Sequence, residues 1–237
     1  MRLCNETLAI LRNFSSINQS LLFKPGNVLK TVSVSKTVMA KATVAENFPS
    51  QFAIYDLSKY IGVLSLFKTP TLEFNKGHMT IREGRQSVNY TYADTSTIVL
   101  PPEKDIQLPQ HEIEFQLSAN NLNSIQRAIA TLQLPELAIC GDRQYLSIQT
   151  VNSKNPTGDI YRIDLGETSH EFKLIFKIDN LKMINENYIV KATSKGIAHF
   201  KSFGVQSKPT AMNHVDPTMT YNVEYWVATE SNSTFEQ

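Results

Sequence analysis

The sequence predicts an α+β protein built from two similar halves. Three observations carry this. The order of helix, alternating strands, Asp-capped short helix and further strands occurs twice. A segment with three prolines and no hydrophobic period, PPEKDIQLPQ at Pro101–Gln110, separates the two runs. Each helical segment is amphipathic and too short to persist in water without a sheet to cover its apolar side.

The first half opens with a helix predicted over 5–18, with Asn5 as its N-cap. Leu3, Ile10, Leu11, Phe14 and Ile17 fall on one side at 100° per residue. LLFKPGNVL ends it, with Pro25-Gly26 as a turn. VLKTVSVSKTVMAKATV, Val28–Val44, alternates and is rich in Val and Thr, which reads as strand, turn, strand. AIYDLSKYIGVLSLFK, Ala53–Lys68, starts as a strand. It turns helical at Asp56, with Leu57, Tyr60, Ile61 and Leu64 on the apolar side and Lys59 opposite. Strands are expected at Leu72–Phe74, Met79–Arg82, Ser87–Ala93 and Thr97–Leu100.

After the proline-rich segment, EIEFQL is a strand. Ser118 caps a helix through Leu132, whose Leu122, Ile125, Ile129 and Leu132 share a face; Pro135 stops it. ELAICG, YLSIQTV and EFKLIFKI read as strands, and Asp179 caps a short helix, DNLKMI. Strands follow at Tyr188–Ala192, Ala198–Phe203 and Tyr221–Ala228. The loop Gly204–Thr220 precedes the last of them, and the tail from Ser231 is expected to be mobile. Leu11 thus corresponds to Ile125 and Asp56 to Asp179, a repeat of order rather than of residue identity. The boundaries expected are 1–100, a connector 101–110, 111–230, and a tail 231–237.

Hydrophobic residues make up 41% and charged residues 19%, so a sizeable core forms and disorder is not the default. The net charge of +1 rules out a molecule that binds nucleic acid through bulk positive charge; any such role depends on local placement. Cys4 and Cys140 are isolated, which fits neither a disulfide framework nor metal-ligand spacing and suits a reducing setting. The start MRLCNETLAILRNF lacks a signal-peptide pattern, and no apolar run reaches membrane-spanning length. His78, His111, His170, His199 and His214 are scattered. Neither a G-x-x-x-x-G-K-[ST] loop nor a G-x-S-x-G elbow occurs. No enzyme, metal or cofactor is expected.

The polar sides of the helices are the informative feature. The first shows Arg2, Asn5, Ala9, Arg12, Ser16 and Gln19; the Ser118 helix shows Asn120, Asn123, Arg127, Ala130 and Thr131. Across 2–19, 57–68 and 118–134 the one acid is Glu6, where even spacing of the chain's 22 acids would put roughly four. Ordinary surface helices mix Glu with Lys. These faces read either as plain amphipathic helices with small polar sides or as a surface that tolerates a polyanion, with a few cations on phosphates.

Several words then coincide with one family. They are LRNFSSIN at Leu11–Asn18, the turn at Lys24-Pro25-Gly26, AIYDLSKYIGVLSL at Ala53–Leu66 and STIVLPPEKDIQLP at Ser96–Pro109. LAICGDRQYLSI at Leu137–Ile148, NLKMINENY at Asn180–Tyr188 and VATESNST at Val227–Thr234 continue the series. In these the chain resembles the sliding clamps of T-even-type bacteriophages, the processivity factors of phage DNA polymerases. The resemblance implies the DNA-clamp fold: two similar domains, antiparallel sheets outside, and two short helices per domain facing the hole of a ring. It implies a homotrimer around duplex DNA, a phage DNA polymerase and an ATP-dependent clamp loader as partners, and a place in the host cell cytoplasm. Arg2, Arg12, Lys59, Arg127 and Lys182 would face the DNA. Ile106, Leu108, Pro109, Tyr225 and Trp226 would meet a partner peptide or a neighbouring subunit. The net charge of +1 departs from the family's usual acidic balance, and the Gly204–Thr220 loop is longer than its counterpart. The competing reading is a β-rich viral structural or protein-interaction module that encircles nothing.

Overall fold

The computed structural model describes residues 1–104, 106–108, 110–203 and 221–236. Pro109, His214 and the Gly204–Thr220 loop lie outside the described residues. The chain divides into two compact units: one covers Met1–Asp105 and takes in Tyr221–Val223, and the other covers Ile106–Thr220 and Glu224–Gln237.

In the first unit, helix α1 spans Asn5–Ile17 and buries Thr7, Ile10, Leu11, Phe14 and Ile17. Its N-cap is Cys4, one residue ahead of the expected Asn5: Cys4 is extended, and its Sγ accepts from the Thr7 N–H. The reason lies across the unit. Glu46, 7% exposed, accepts from the Cys4 N–H and the Thr7 hydroxyl, so a carboxylate sits at the positive end of the helix. Two short strands, β1 (Leu21–Phe23) and β4 (Phe52–Ile54), pair antiparallel. Between them run β2 (Gly26–Val32) and β3 (Val38–Phe48), the expected hairpin. The register shifts by a bulge after Gly26, whose φ of 110° only glycine adopts readily.

Helix α2 spans Leu57–Leu64, with the Asp56 carboxylate accepting from the Lys59 N–H at 2.8 Å, as the sequence indicates. It buries Leu57, Tyr60 and Leu64 and packs against α1. A meander of β5 (Thr71–Phe74), β6 (His78–Glu83) and β7 (Gln86–Thr91) follows. Thr97–Leu100 is not the strand expected. Asp94 caps a 3-10 turn at Thr95–Thr97 by accepting from the Ser96 N–H, which turns the chain away from any ladder. Aromatic rings fill the centre: Phe23 stacks on Phe52 at 4.4 Å, and Phe52 on Tyr92 at 5.0 Å.

In the second unit β8 (Ile113–Leu117) leads into α3 (Ala119–Leu132), capped by the Ser118 hydroxyl on the Asn121 N–H. Leu122 and Ile125 are buried, while Ile129 and Leu132 are half-buried. One antiparallel sheet runs β11-β10-β9-β12-β16, from Tyr161–Glu167, Tyr145–Val151, Glu136–Asp142, Glu171–Lys177 and Thr234–Glu236. In the other, β8 pairs with β13 (Tyr188–Thr193), β13 with β14 (Ile197–Ser202), and β14 with β15 (Asn222–Ala228).

Three expectations change here. The Asp179 helix is one 3-10 turn, Ile178–Asn180; its N-cap is Lys177, without a side-chain cap bond, and Leu181 leaves helical space at φ −92°, ψ 49°. Six residues without a working cap cannot outweigh the cost of nucleating a helix. The described residues therefore hold three α-helices: two in the first unit and one in the second. Strand β11, Tyr161–Glu167, is absent from the expected strands. The tail is not free either: Thr234–Glu236 pairs with Glu171–Lys173.

Candidate functional site

The helices carry the first set of candidate residues. Arg2 precedes α1 and Arg12 lies on it; both are exposed and line a groove between α1 and α2. Lys59 is exposed in the first turn of α2, beside the buried Tyr60. Arg127 is exposed on α3, and Lys182 is exposed just beyond the 3-10 turn. Arg2, Arg12, Lys59 and Arg127 have no ion-pair partner among the described residues. Unpaired cations on helices that carry almost no acid form a weakly positive patch, the kind of surface that could meet a phosphate backbone without reading sequence. The groove also contains Lys68, which helix projection missed because it lies past the end of α2.

The second set lies in the second unit. Ile106 and Leu108 line a cleft of about 580 Å³ together with Ile189 and Lys191 on β13, His199 and Lys201 on β14, and Glu114 on β8. Strand alternation puts these floor residues on one face, and the registers align them: Lys191 sits opposite both His199 and Glu114, and Ile189 opposite Lys201. Glu114 accepts from His111 Nε2 at 2.8 Å and lies 3.4 Å from Lys191 Nζ; the His111 bond, foremost, holds its carboxyl below the usual range. His199 Nε2 meets Glu224 Oε2 at 2.9 Å and stacks on the Trp226 indole at 4.6 Å. Apolar side chains above a charged floor suit an extended peptide with apolar anchors.

The structure splits the pair Tyr225 and Trp226. Trp226, 5% exposed, backs the cleft through His199. Tyr225 points to the opposite face, is fully buried against Tyr188, and accepts the Ile184 N–H; burial raises its phenol pKa well above the ordinary value. It is a core residue. The i, i+2 pairs Ile189/Lys191 and His199/Lys201 were the sequence signal for the floor. Among the described residues no group of His, Cys, Asp and Glu side chains gathers to hold a metal. No helix is long and apolar enough to cross a membrane.

Residues 5–100 match the family described as DNA polymerase processivity factor, and residues 114–207 match the one described as gp45 sliding clamp, C terminal. The sliding clamp of Escherichia phage RB69 is 30% identical over 212 residues, covering 85% of this chain and 92% of the relative. That of Enterobacteria phage T4 is 30% identical over 203 residues, covering 83% and 89%. That of Vibrio phage KVP40 is 24% identical over 239 residues, covering 98% and 100%. Among solved structures, A. fulgidus PCNA with the C-terminal region of FEN-1 bound superposes with a TM-score of 0.70 at 12% identity, covering 98% of both chains. PCNA from Thermococcus kodakaraensis gives 0.65 at 12% identity, covering 97% and 99%. These structural matches show the shared fold, and the sequence matches show the lineage: the chain belongs to the phage sliding-clamp family, a DNA polymerase processivity factor with no chemistry of its own.

Proposed function

We propose that three copies of the chain close head to tail into a ring around duplex DNA and so keep the phage polymerase on its template. The observation that carries this reading is the set of acid-poor helices on which Arg12, Lys59 and Arg127 are exposed without an ion-pair partner among the described residues. Arg2, Arg12, Lys59, Arg127 and Lys182 would touch phosphates lightly; a ring that holds by topology needs no strong contact, and strong contact would oppose sliding. Head-to-tail closure requires two different surfaces on each chain. Among the described residues β7 is one edge of the β5-β6-β7 sheet and β11 one edge of the five-stranded sheet, and strand edges of this kind accept a further strand. Each chain would supply two clamp domains, 1–100 and 111–230, with 101–110 between them and a tail at 231–237.

The cleft at Ile106 and Leu108 would take a short peptide of the polymerase, with Trp226 behind it. Its position on the exposed face of β13 and β14, beside a proline-rich segment, supports this, as does the PCNA relative that carries a segment of FEN-1. Pro109 would border it, while Tyr225 serves the core. A closed ring needs an ATP-dependent loader, and the work takes place in the host cell where phage DNA is copied.

The test is retention on DNA. Chains loaded on a nicked circular plasmid should stay bound at salt that screens phosphate contacts, and should leave once the plasmid is cut to a linear form. Loss from the intact circle under the same salt would sink the ring.

A further inference from the structure

We infer that the groove between α1 and α2 is the chain's principal seat for the DNA backbone, so that contact with the duplex is concentrated in the first unit instead of being shared evenly by the two. The inference rests on the reading that these helices face DNA, and it adds an asymmetry that the repeated order of elements does not suggest.

The groove has a volume of about 600 Å³. Arg2 and Arg12 stand on one wall and Lys68 on the other, with Leu8, Ile61 and Leu64 among the residues between them. All three cations are exposed, and none has an ion-pair partner among the described residues. One acid, Glu6, shares the lining. The backbone under Lys68 is fixed: Glu83 accepts from the Lys68 N–H at 2.9 Å and from the Thr69 N–H at 2.8 Å. A concave site with low-dielectric walls focuses the field of its charges, so three cations around a groove attract a phosphate chain more than the same charges spread over a convex face.

Among its described residues the second unit builds no such two-helix groove. Where α2 packs beside α1, the described residues of the second unit form one 3-10 turn, so among them α3 has no partner helix. Arg127 is the one cation on α3, and Lys182 follows the 3-10 turn. The fold repeats, and the anion seat does not. A ring of three chains would then offer three seats, and a duplex narrower than the hole would lean on one at a time.

The test uses the full chain and a short fluorescein-labelled duplex, with anisotropy read over a salt series. Arg2→Ser, Arg12→Ser and Lys68→Ser together should flatten the slope of log affinity against log salt by about 2.7, and Arg127→Ser alone by about 0.9 at most. Changing the two arginines to lysine should restore the slope, since a phosphate seat reads charge. A triple variant that flattens the slope no more than Arg127→Ser overturns the asymmetry. If that happens while the wild-type chain still shows a three-chain mass and retention on circular DNA, only the groove is lost. If the wild-type chain shows neither, the ring reading fails and the groove with it.

Discussion

Glu46 holds the start of the first helix from across its unit. Both carboxylate oxygens are used, one on the Cys4 N–H and one on the fully buried Thr7 hydroxyl. Replacing Glu46 with Ala strands two donors and should lower stability by about 1–3 kcal/mol, with Glu46→Gln costing less because an acceptor remains. Urea unfolding followed by far-UV circular dichroism measures this; an unchanged midpoint would show that water replaces the carboxylate freely. Glu83 does similar work at the end of α2, but in solvent. The Lys68 N–H, then the Thr69 N–H and hydroxyl, hold its carboxyl below the ordinary 4.5. A depressed carboxyl stabilises the fold above its unfolded value, and that contribution disappears as pH falls from 4.5 through the lower folded value. The amide resonances of Lys68 and Thr69 should therefore titrate together below pH 4.5. A midpoint at or above it would refute the pairing.

At the scale of elements, β16 decides what the C-terminal segment is for. Phe235 stacks on Phe172 at 5.8 Å, Ser233 Oγ accepts from the Ile175 N–H, and Arg143 bridges to Glu236 at 3.2 Å. Read from sequence, deletion from Asn232 should leave the fold intact. Read from the structure, it uncovers the edge of β12 and should cost roughly 1–3 kcal/mol, mostly through lost apolar burial. Thermal unfolding of the truncated chain separates the two outcomes. Both β16 and β11 are edge strands, but β16 is three residues, too short to show a period, whereas β11 does alternate, with Tyr161, Ile163 and Leu165 against Arg162 and Asp164, a signal the sequence reading passed over. The three α-helices were legible because each has an apolar stripe long enough to count and two have a Ser or Asp cap; α1 slipped by one residue because Cys is seldom a cap. Asp179 misled because local propensity names a starting point but cannot supply the turns that follow. Tyr225 and Trp226 were grouped by adjacency, yet neighbours on a strand face opposite ways. The cleft floor was only half legible: Lys191 and His199 lie on one hairpin, but strand pairing also brings in Glu114, far earlier in the chain.

For the whole molecule, assembly is the first quantity to measure. Size-exclusion chromatography with light scattering should give three times the chain mass at high concentration, with dissociation on dilution. A chain that stays single at every concentration would leave the edges of β7 and β11 without a partner and would count against the ring. The net charge of +1 adds that long-range attraction between the whole chain and DNA is slight, so capture depends on local charge or on delivery by another protein. One feature gives these experiments a reporter that needs no label. The chain has a single tryptophan, and it lies flat against His199, a lining residue of the connector cleft. Indole emission shifts with the polarity and stacking of its surroundings. A peptide that settles over His199 should change the colour or yield of that one fluorophore, while events at the α1–α2 groove in the other unit leave it dark to them. The protein thus carries an optical channel that would report occupancy of the cleft separately from occupancy of the groove.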